Sequence, residues 1–302
     1  MKRASIDIGS NSILLLIAQE SEEGIVEFVD ESRITFLGKG IDKTGYFDKQ
    51  SLEDSYRALE EYKEILRDHD ISPENCVVTA TEAARVAKDS RDFIENAAEK
   101  FGLNIQLISG SGEAFYTAYG VSASCNDSNF VIMDIGGAST ELIKVQKEPF
   151  HIIDLISLPI GASRAIEWIQ DEIFLEKFNG LMSEEIKNRF STDKLVCVAG
   201  CMTSIGAMYL NLSDFQAKKV NDTIISNADF KKFIEKYSKY APEKLLSEFP
   251  FLGKRAKVMK GGEQTAVSFI EALGVKQIQI CTYGLRYGTL LKGKIDEQFM
   301  AR

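Results

Sequence analysis

The sequence predicts an α/β protein built from two related halves, with strands and helices packed in layers. Apolar runs of strand length alternate with segments of helical periodicity along the 302 residues. In addition, one short motif occurs twice, at residues 7–12 and 134–141. In both places an apolar run ends in Asp-Ile-Gly and is followed by small and hydroxyl residues. The length also favours two domains.

In the first half, the apolar pattern predicts strands over residues 4–18 and 24–36, followed by a long helix that begins at Ser51. Asp54 lies three residues after Ser51, where the second member of a capping box belongs. The remaining predicted elements of this half are strands over 76–80 and 104–108 and helices over 89–100 and 113–121.

The polar segment 126–129 is the predicted division between the domains, which gives a first domain over 1–125 and a second over 126–302. In the second domain, strands are predicted over 130–134, 140–145, 151–158, 194–199 and 277–281. Helices are predicted over 163–170, 184–190, from 203 onward, and over 230–240, 255–273 and 285–291. The last of these helices is a candidate for packing back on the first domain.

Composition excludes several classes of function. The formal charge of −9 and the pI of about 5.0 disfavour a dedicated nucleic-acid or membrane-surface protein. No apolar run approaches the roughly 18–20 residues of a membrane span, and Asp7 interrupts the start of the chain too early for a secretory signal. Five cysteines, an odd number, indicate reduced thiols and hence a cytoplasmic protein.

Metal–thiolate and cysteine or serine triad chemistry are poorly supported. Cys197 and Cys201 are four residues apart, as metal ligands can be. However, the chain has only two histidines, His69 and His151, and neither lies near another expected ligand in the sequence. We therefore interpret the cysteines as structural.

The repeated motif has the chemistry of a phosphate-binding turn. Glycines at such a turn permit positive φ angles and leave room for a ligand, while successive backbone N–H groups can cradle phosphate oxygens. The candidate glycines are Gly9, Gly136 and Gly137, and the candidate side-chain donors are Ser10, Asn11, Ser12, Ser139 and Thr140. A bare carboxylate repels phosphate, so Asp7 and Asp134 should hold a divalent cation or a water. The alternative is an ordinary hairpin turn, which the recurrence of the motif disfavours.

Seven motifs in order along the chain resemble the exopolyphosphatase / guanosine pentaphosphate phosphohydrolase family, which belongs to the superfamily of actin, sugar kinases and heat-shock ATPases. They are DIGSNS (7–12), TATEAAR (79–85), ISGSGEA (108–114), DIGGASTE (134–141), LPIGA (158–162), VAGCMT (198–203) and YGLRYG (283–288). The resemblance runs nearly from end to end.

This resemblance implies two ribonuclease-H-like domains, of the actin-like ATPase type, with mixed sheets flanked by helices and an active cleft between the domains. It implies release of terminal phosphate from inorganic polyphosphate or guanosine pentaphosphate with Mg²⁺, and binding of guanosine penta- or tetraphosphate. It also implies the short, two-domain form of the family, and it is compatible with a homodimer. The choice between the two substrates stays open.

Residue roles follow by position from the same resemblance. Glu113 matches the carboxylate that activates the attacking water. Asp134 and Glu141 match the acidic residues of the second phosphate loop and are candidates to hold Mg²⁺, directly or through water. The phosphate-binding residues would be Asp7, Gly9, Ser10, Asn11, Ser12, Arg85, Gly136, Gly137, Ala138, Ser139 and Thr140. Arg286 is either structural or part of the cleft lining. The structural alternative for Glu113 is a helix N-terminal glutamate favoured by the helix dipole.

The chain departs from the family pattern at three positions, where Gly112 replaces a glutamate, Ala138 a glycine and Lys257 an aspartate. The segment 260–262 falls where the superfamily often approaches a nucleotide. These departures keep a second hypothesis open, a non-catalytic sensor of a guanosine alarmone or polyphosphate. A third hypothesis is a small-molecule kinase of the same superfamily.

Overall fold

Each half of the chain folds around a mixed β-sheet, so the predicted α/β class is confirmed. The computed structural model describes residues 1–22 and 24–301. It contains two compact units: unit 1 comprises Met1–Gly120 and Gly284–Arg302, and unit 2 comprises Val121–Tyr283. The first division thus falls shortly before the predicted boundary at 125/126, and the last twenty or so residues belong with unit 1.

The sheet of unit 1 has the strand order β3-β2-β1-β4-β5. Strands β1, β2 and β3 are antiparallel neighbours, whereas β4 and β5 run parallel to β1. The elements from its first segment are β1 (Arg3–Ile8), β2 (Ser12–Ser21), β3 (Gly24–Ile34), α1 (Ile41–Thr44), α2 (Lys49–Asp68), β4 (Cys76–Ala80), α3 (Glu82–Val86), α4 (Ser90–Phe101), β5 (Ile105–Leu107) and α5 (Gly110–Ser124), with a 3₁₀ turn at Pro73–Asn75.

The sheet of unit 2 repeats this arrangement and adds one strand, in the order β10-β11-β9-β6-β7-β8. Its elements are β6 (Asn129–Ile135), β7 (Thr140–Gln146), β8 (His151–Leu158), α6 (Ala162–Gln170), α7 (Phe174–Leu181), α8 (Glu184–Phe190), β9 (Lys194–Val198), α9 (Ala199–Tyr209), α10 (Ala217–Val220), β10 (Thr223–Ser226), α11 (Asn227–Tyr237), α12 (Pro242–Glu248), a 3₁₀ segment (Pro250–Lys257), α13 (Met259–Ala272) and β11 (Gln277–Ile280).

The last helix, α14 (Leu285–Lys292), is followed by a 3₁₀ turn at Glu297–Phe299 and belongs to unit 1. Its Arg286 is buried and forms two hydrogen bonds to the Asp30 carboxylate, at 2.5 and 3.0 Å. Tyr287 donates a hydrogen bond to Glu27 at 2.9 Å, and the Ser5 and Thr289 hydroxyls lie 2.6 Å apart. Arg286 is therefore a structural residue that joins α14 to β3.

Several predicted elements differ from the structure for identifiable reasons. The strand predicted over 4–18 is a hairpin of β1 and β2, because the polar residues Ser10 and Asn11 form its turn. The helix predicted over 255–273 begins only at Met259, after a 3₁₀ segment that contains a positive φ at Gly253. Helix α2 begins at Lys49, and it is capped by the Asp48 side chain, which accepts from the Ser51 N–H. None of the described helices has the length and apolar composition needed to cross a membrane.

A carboxyl group lies in the core of unit 2. The Glu263 side chain on α13 is only 2% exposed, and its Oε1 atom has no hydrogen-bond partner among the described residues. This burial raises the pKa of Glu263 from 4.5 to about 7, against an opposing effect of the charge on Lys260. Keeping such a group costs stability whenever it is ionised.

Replacing Glu263 with glutamine should reduce the pH dependence of stability. A carboxyl group whose pKa is higher in the folded state than in the unfolded state stabilises the fold at pH values below its unfolded-state pKa. For Glu263, this contribution is lost as the pH rises from about 4.5 through about 7. Glu263→Gln should therefore lose less free energy of unfolding over this window, by roughly 3 kcal/mol. Urea denaturation at pH 5 and pH 8 measures the difference. Glu271→Gln, an exposed position on the same helix, is the matched control.

Candidate functional site

The first motif forms a tight turn between β1 and β2. Its Gly9 N–H donates to the Ser12 carbonyl at 3.0 Å, directly after the pairing of Ile8 with Ile13. The segment that follows β3 supports this turn through hydrogen bonds to the carbonyl groups of the turn. The Gly38 N–H donates to the Ser10 carbonyl at 2.8 Å, and the N–H groups of residues 35 and 36 both donate to the next carbonyl, that of Asn11, at 3.1 Å.

The second motif forms the same turn between β6 and β7. The Gly136 N–H donates to the Ser139 carbonyl at 3.0 Å, after the pairing of Ile135 with Thr140. Here too, the segment after the third strand secures the turn. The N–H groups of Ala162 and Ser163 donate to the carbonyls of Gly136 and Gly137, both at 2.9 Å, and Arg164 Nη1 donates to the Ala138 carbonyl at 2.5 Å.

These hydrogen bonds engage the carbonyl groups of the two turns and leave backbone donors available. Across residues 1–22 and 24–301, no backbone hydrogen bond engages the N–H groups of Ser10, Gly137 or Ala138. N–H groups at a turn whose carbonyls are already satisfied form a cradle for an anion. The methyl group of Ala138, which departs from the family pattern, does not remove this donor.

One of the two predicted reasons for glycine in these turns, a positive φ angle, is wrong. None of Gly9, Gly136 and Gly137 has a positive φ angle. The tighter constraint lies in the supporting segments, where a Cβ atom on Gly161 would come within 2.6 Å of the Gly137 carbonyl. Likewise, a Cβ atom on Gly38 would come within 2.8 Å of the Ser10 Cβ. Sequence reasoning did not pair these two supporting glycines, although each comes a few residues after the third strand of its sheet.

Substitution of Gly161 should therefore displace the second turn. Gly161→Ala places a methyl group against rigid backbone, and overpacking of this kind costs about 1–3 kcal/mol of unfolding free energy. Gly180→Ala is the matched control, because a Cβ atom at Gly180 in α7 meets none of the described atoms within 4 Å, apart from those of its chain neighbours and of its own helix backbone. Urea denaturation of both variants measures the effect. Equal stability of the two variants would contradict the close packing described for Gly161.

Glu113 and Arg85 form an ion pair in unit 1. Glu113 lies in the first turn of α5, and Arg85 lies near the end of α3. Arg85 Nη1 donates to Glu113 Oε2 at 3.0 Å and to the Ile108 carbonyl at 2.9 Å. The start of α3 is tied to the first turn by the Thr81 N–H, which donates to the Ile8 carbonyl at 3.2 Å. The structure therefore links both predicted residues to the first motif turn.

The protonation of Glu113 reflects two opposing effects. The side chain is 20% exposed, and its burial raises the pKa of the carboxyl group above the usual range. The charge and hydrogen bond of Arg85 lower the pKa again, while the neighbouring charge on Glu82 adds to the increase. A carboxylate with a raised pKa is a stronger base than an exposed one, and it keeps a fixed orientation through Arg85.

Gly112 has a packing role in this structure. The segment 295–301 runs beside the start of α5, where the Ser109 N–H donates to the Phe299 carbonyl at 2.8 Å. A Cβ atom on Gly112 would lie 2.7 Å from that same carbonyl oxygen. The Phe299 ring also stacks on Phe115, with 4.4 Å between centroids. Gly112, which replaces the glutamate of the family pattern, therefore leaves the space that this segment needs to pack against α5. The adjacent Glu113 is retained.

Asp134 and Glu141 face the same side of the second sheet. They are direct cross-strand partners on β6 and β7, and side chains of such partners lie on one face. The buried Glu141 carboxylate accepts a hydrogen bond from the Ser157 hydroxyl at 2.6 Å. In the described chain, no group of three or more His, Cys, Asp or Glu side chains is arranged to hold a metal. A pair of carboxylates nevertheless fits Mg²⁺, which commonly takes one or two protein carboxylates and completes its shell with phosphate oxygens and water.

Two other groups of predicted residues have structural roles. The Thr140 hydroxyl is buried and donates to the Ile160 carbonyl at 2.5 Å, so it supports the turn instead of facing a ligand. In the segment 260–262, Cβ atoms on Gly261 and Gly262 would come within 2.0 Å of the Ala162 carbonyl and within 2.7 Å of Cys201 Sγ. These glycines therefore pack α13 against α6 and α9.

The cysteines are free thiols. Burial raises the pKa of the Cys197 and Cys201 thiols, which disfavours the thiolate form that a metal would need.

Comparison with known proteins gives one consistent result. The profile of the Ppx/GppA phosphatase family matches residues 16–295. The chain is 29% identical over 74% of its length to a bifunctional 3-dehydroquinate synthase/phosphatase of Fusobacterium nucleatum. It is 27% identical over 97% of its length to a guanosine-5'-triphosphate,3'-diphosphate pyrophosphatase of Aliivibrio fischeri, and over 95% to exopolyphosphatase 2 of Mycobacterium tuberculosis.

Coverage of these relatives differs. The chain spans 38% of the Fusobacterium protein and 59% of the Aliivibrio protein, but 97% of the Mycobacterium protein. Among solved structures, a Ppx/GppA family member from Aquifex aeolicus matches with a TM-score of 0.78 and 27% identity, over 97% of both chains. An exopolyphosphatase from Cytophaga hutchinsonii, at 22% identity, has the same fold with a TM-score of 0.87, covering 98% of this chain and all of that one.

Proposed function

The chain belongs to the Ppx/GppA phosphatase family, and we propose that it is a Mg²⁺-dependent hydrolase of phosphoanhydride bonds. Its substrates would be inorganic polyphosphate, guanosine pentaphosphate or both. The observation that carries this proposal is the Arg85–Glu113 pair, a partly buried carboxylate of raised pKa held beside the first phosphate turn. The names of the relatives from Aliivibrio and Mycobacterium support the choice of substrates.

In the proposed reaction, Glu113 orients a water molecule and accepts its proton as the oxygen attacks the terminal phosphorus. The bond between that phosphorus and the bridging oxygen breaks, so inorganic phosphate is released and the shortened phosphate chain leaves with the bridging oxygen. Burial keeps the carboxylate poorly solvated, and its raised pKa favours proton transfer. Arg85 fixes the carboxylate and offers a planar, permanently charged group for phosphate oxygens. The N–H group of Ser10 in the first turn takes part in no backbone hydrogen bond among the described residues, so it would be a donor for a phosphate oxygen and would stabilise the charge of that oxygen in the transition state.

Asp134 and Glu141 would hold the magnesium ion. When bound, the ion supplies positive charge next to the phosphate oxygens, which the two carboxylates alone would repel. Ser157 orients Glu141 through its hydrogen bond, and a ligand that is fixed in this way loses less conformational entropy on binding the ion.

Substitution of the proposed base should separate binding from turnover. Glu113→Gln keeps the size of the side chain but cannot accept the proton of water, so we expect turnover to fall by about 100-fold or more. Binding of a non-hydrolysed phosphate chain should persist. Phosphate release from polyphosphate and from guanosine pentaphosphate measures the loss, with exposed Glu99→Gln on α4 as the control. Near-normal release by Glu113→Gln would remove Glu113 from this role.

Substitution of a proposed metal ligand should change the magnesium requirement. Asp134→Asn removes one negative charge from the pair, and we expect the Mg²⁺ concentration for half-maximal activity to rise about tenfold or more. Asp193→Asn is the control, since Asp193 pairs with Lys276 at an exposed position. The measurement is a magnesium titration of phosphate release after chelation. An unchanged titration midpoint for Asp134→Asn would argue against this ligand.

A further inference from the structure

The segment 295–301 pairs with the edge of the unit 1 sheet beside the start of α5. Met300 forms an antiparallel bridge with Ile108, and the Ala301 N–H donates to the Leu107 carbonyl at 2.8 Å. Strand β5 is an edge strand of this sheet, and its backbone groups are open to such pairing. The segment therefore holds the chain at the position where it turns from β5 into α5.

Ser109 supports the first turn of α5, and the segment 295–301 holds its backbone in place. The Ser109 N–H donates to the Phe299 carbonyl at 2.8 Å. The Glu113 N–H in turn donates to the Ser109 carbonyl at 2.9 Å, and the Gly112 N–H donates to the Ser109 hydroxyl at 3.1 Å, as at a helix N-cap. The backbone of Glu113 is thus connected to Phe299 through Ser109.

The Ile108 carbonyl forms a second connection, which ends at the side chain of Glu113. Arg85 Nη1 donates to this carbonyl at 2.9 Å and to Glu113 Oε2 at 3.0 Å. The segment 295–301 bonds to the backbone on both sides of Ile108, at residues 107 and 109, so it fixes the direction of the carbonyl that holds Arg85. The main chain and the carboxylate of Glu113 therefore depend on the same three residues, 107–109.

The Phe299 ring packs the segment against α5. It stacks on Phe115, with 4.4 Å between ring centroids, and meets Tyr116 edge to face at 5.6 Å. Tyr116 and Ile108 belong to one buried apolar cluster, against which Phe299 packs. This close approach requires glycine at position 112, because a Cβ atom there would lie 2.8 Å from the Phe299 Cβ. The glutamate of the family pattern would not fit unless the segment moved.

We propose that the segment 295–301 positions Glu113 for the attack on phosphorus, with Phe299 as the positioning residue. Phe299 acts through Ser109, which holds the backbone of Glu113, and through Ile108, which holds Arg85. A displacement of about 1 Å at a reacting group can lower a rate by about 100-fold, so such support has a large effect. The inference rests on the proposed function, because turnover is one of its two readouts.

The first test compares three variants by kcat for phosphate release from polyphosphate and from guanosine pentaphosphate. Phe299→Ala removes the stacked ring, and we expect kcat to fall by about tenfold or more. Phe299→Tyr keeps the ring and should retain kcat within about twofold. Gln298→Ala, at the exposed neighbouring position, is the matched control. An unchanged kcat for folded Phe299→Ala would overturn the inference.

A double-mutant cycle separates positioning from a general loss of structure. In the Glu113→Gln background there is no base left to position, so Phe299→Ala should lower the residual turnover by less than about twofold. The same loss in both backgrounds would show that Phe299 does not act through Glu113, and would overturn the inference.

Ala301→Pro tests the same segment without altering the ring. Proline removes the N–H that donates to the Leu107 carbonyl. Met300 already has the extended conformation, with φ −71° and ψ 144°, that a residue before proline adopts. We expect kcat to fall by about threefold or more. This variant decides the question if Phe299→Ala does not fold, and a normal kcat would then overturn the inference.

Hydrogen exchange tests the positioning without turnover. In Phe299→Ala, the N–H groups of Gly112 and Glu113 should exchange about tenfold faster, while those in the middle of α4 stay unchanged. Unchanged exchange at Gly112 and Glu113, together with a strong Glu113→Gln effect on phosphate release, would remove this inference and keep the hydrolase proposal. Faster exchange together with normal turnover of Glu113→Gln would remove the hydrolase proposal and keep the structural link between Phe299 and Glu113.

Discussion

The two motif turns, at residues 9–12 and 136–139, depend on hydrogen bonds that hold the direction of their carbonyl groups. A hairpin turn binds an anion only if its N–H groups are available, and this requires that its carbonyl groups bond elsewhere. In each unit, the segment after the third strand supplies those donors, from residues 35–38 in unit 1 and residues 161–164 in unit 2. The donors reach the turn only because Gly38 and Gly161 have no side chain at the point of closest approach. The same physical solution is therefore built twice, on two sheets of matching strand order.

The chain also contains three buried or partly buried carboxylates, and a different group interacts with each of them. Glu113 is compensated within the protein, because Arg85 offsets the cost of its burial and sets its direction. Glu141 has a hydroxyl donor from Ser157. An attractive charge from Lys260 offsets the burial of Glu263 only in part.

The structure shows the setting of each of the three residues that depart from the family pattern. Gly112 makes room for the Phe299 carbonyl, so that residues 295–301 can pack against the start of α5. Ala138 retains an available N–H group in the second turn. Lys257 lines a cavity in unit 2, together with Lys260. Each of these replacements leaves Glu113 and Arg85 in place, which agrees with a working hydrolase better than with a sensor that has lost its base.

The sequence by itself determined the α/β class, most of the strands and the repeated turn, because these depend on local apolar patterning and on a motif that occurs twice. It also indicated Glu113, Arg85, Asp134 and Glu141 through the resemblance of ordered motifs. Only the tertiary structure decided which glycines are required for packing, because the neighbour of Gly161 is residue 137 and the neighbour of Gly112 is residue 299. It likewise decided that Arg286 pairs with Asp30 and that one oxygen of Glu263 has no hydrogen-bond partner among the described residues. These properties depend on atoms brought together from distant parts of the chain, and no local pattern records such contacts.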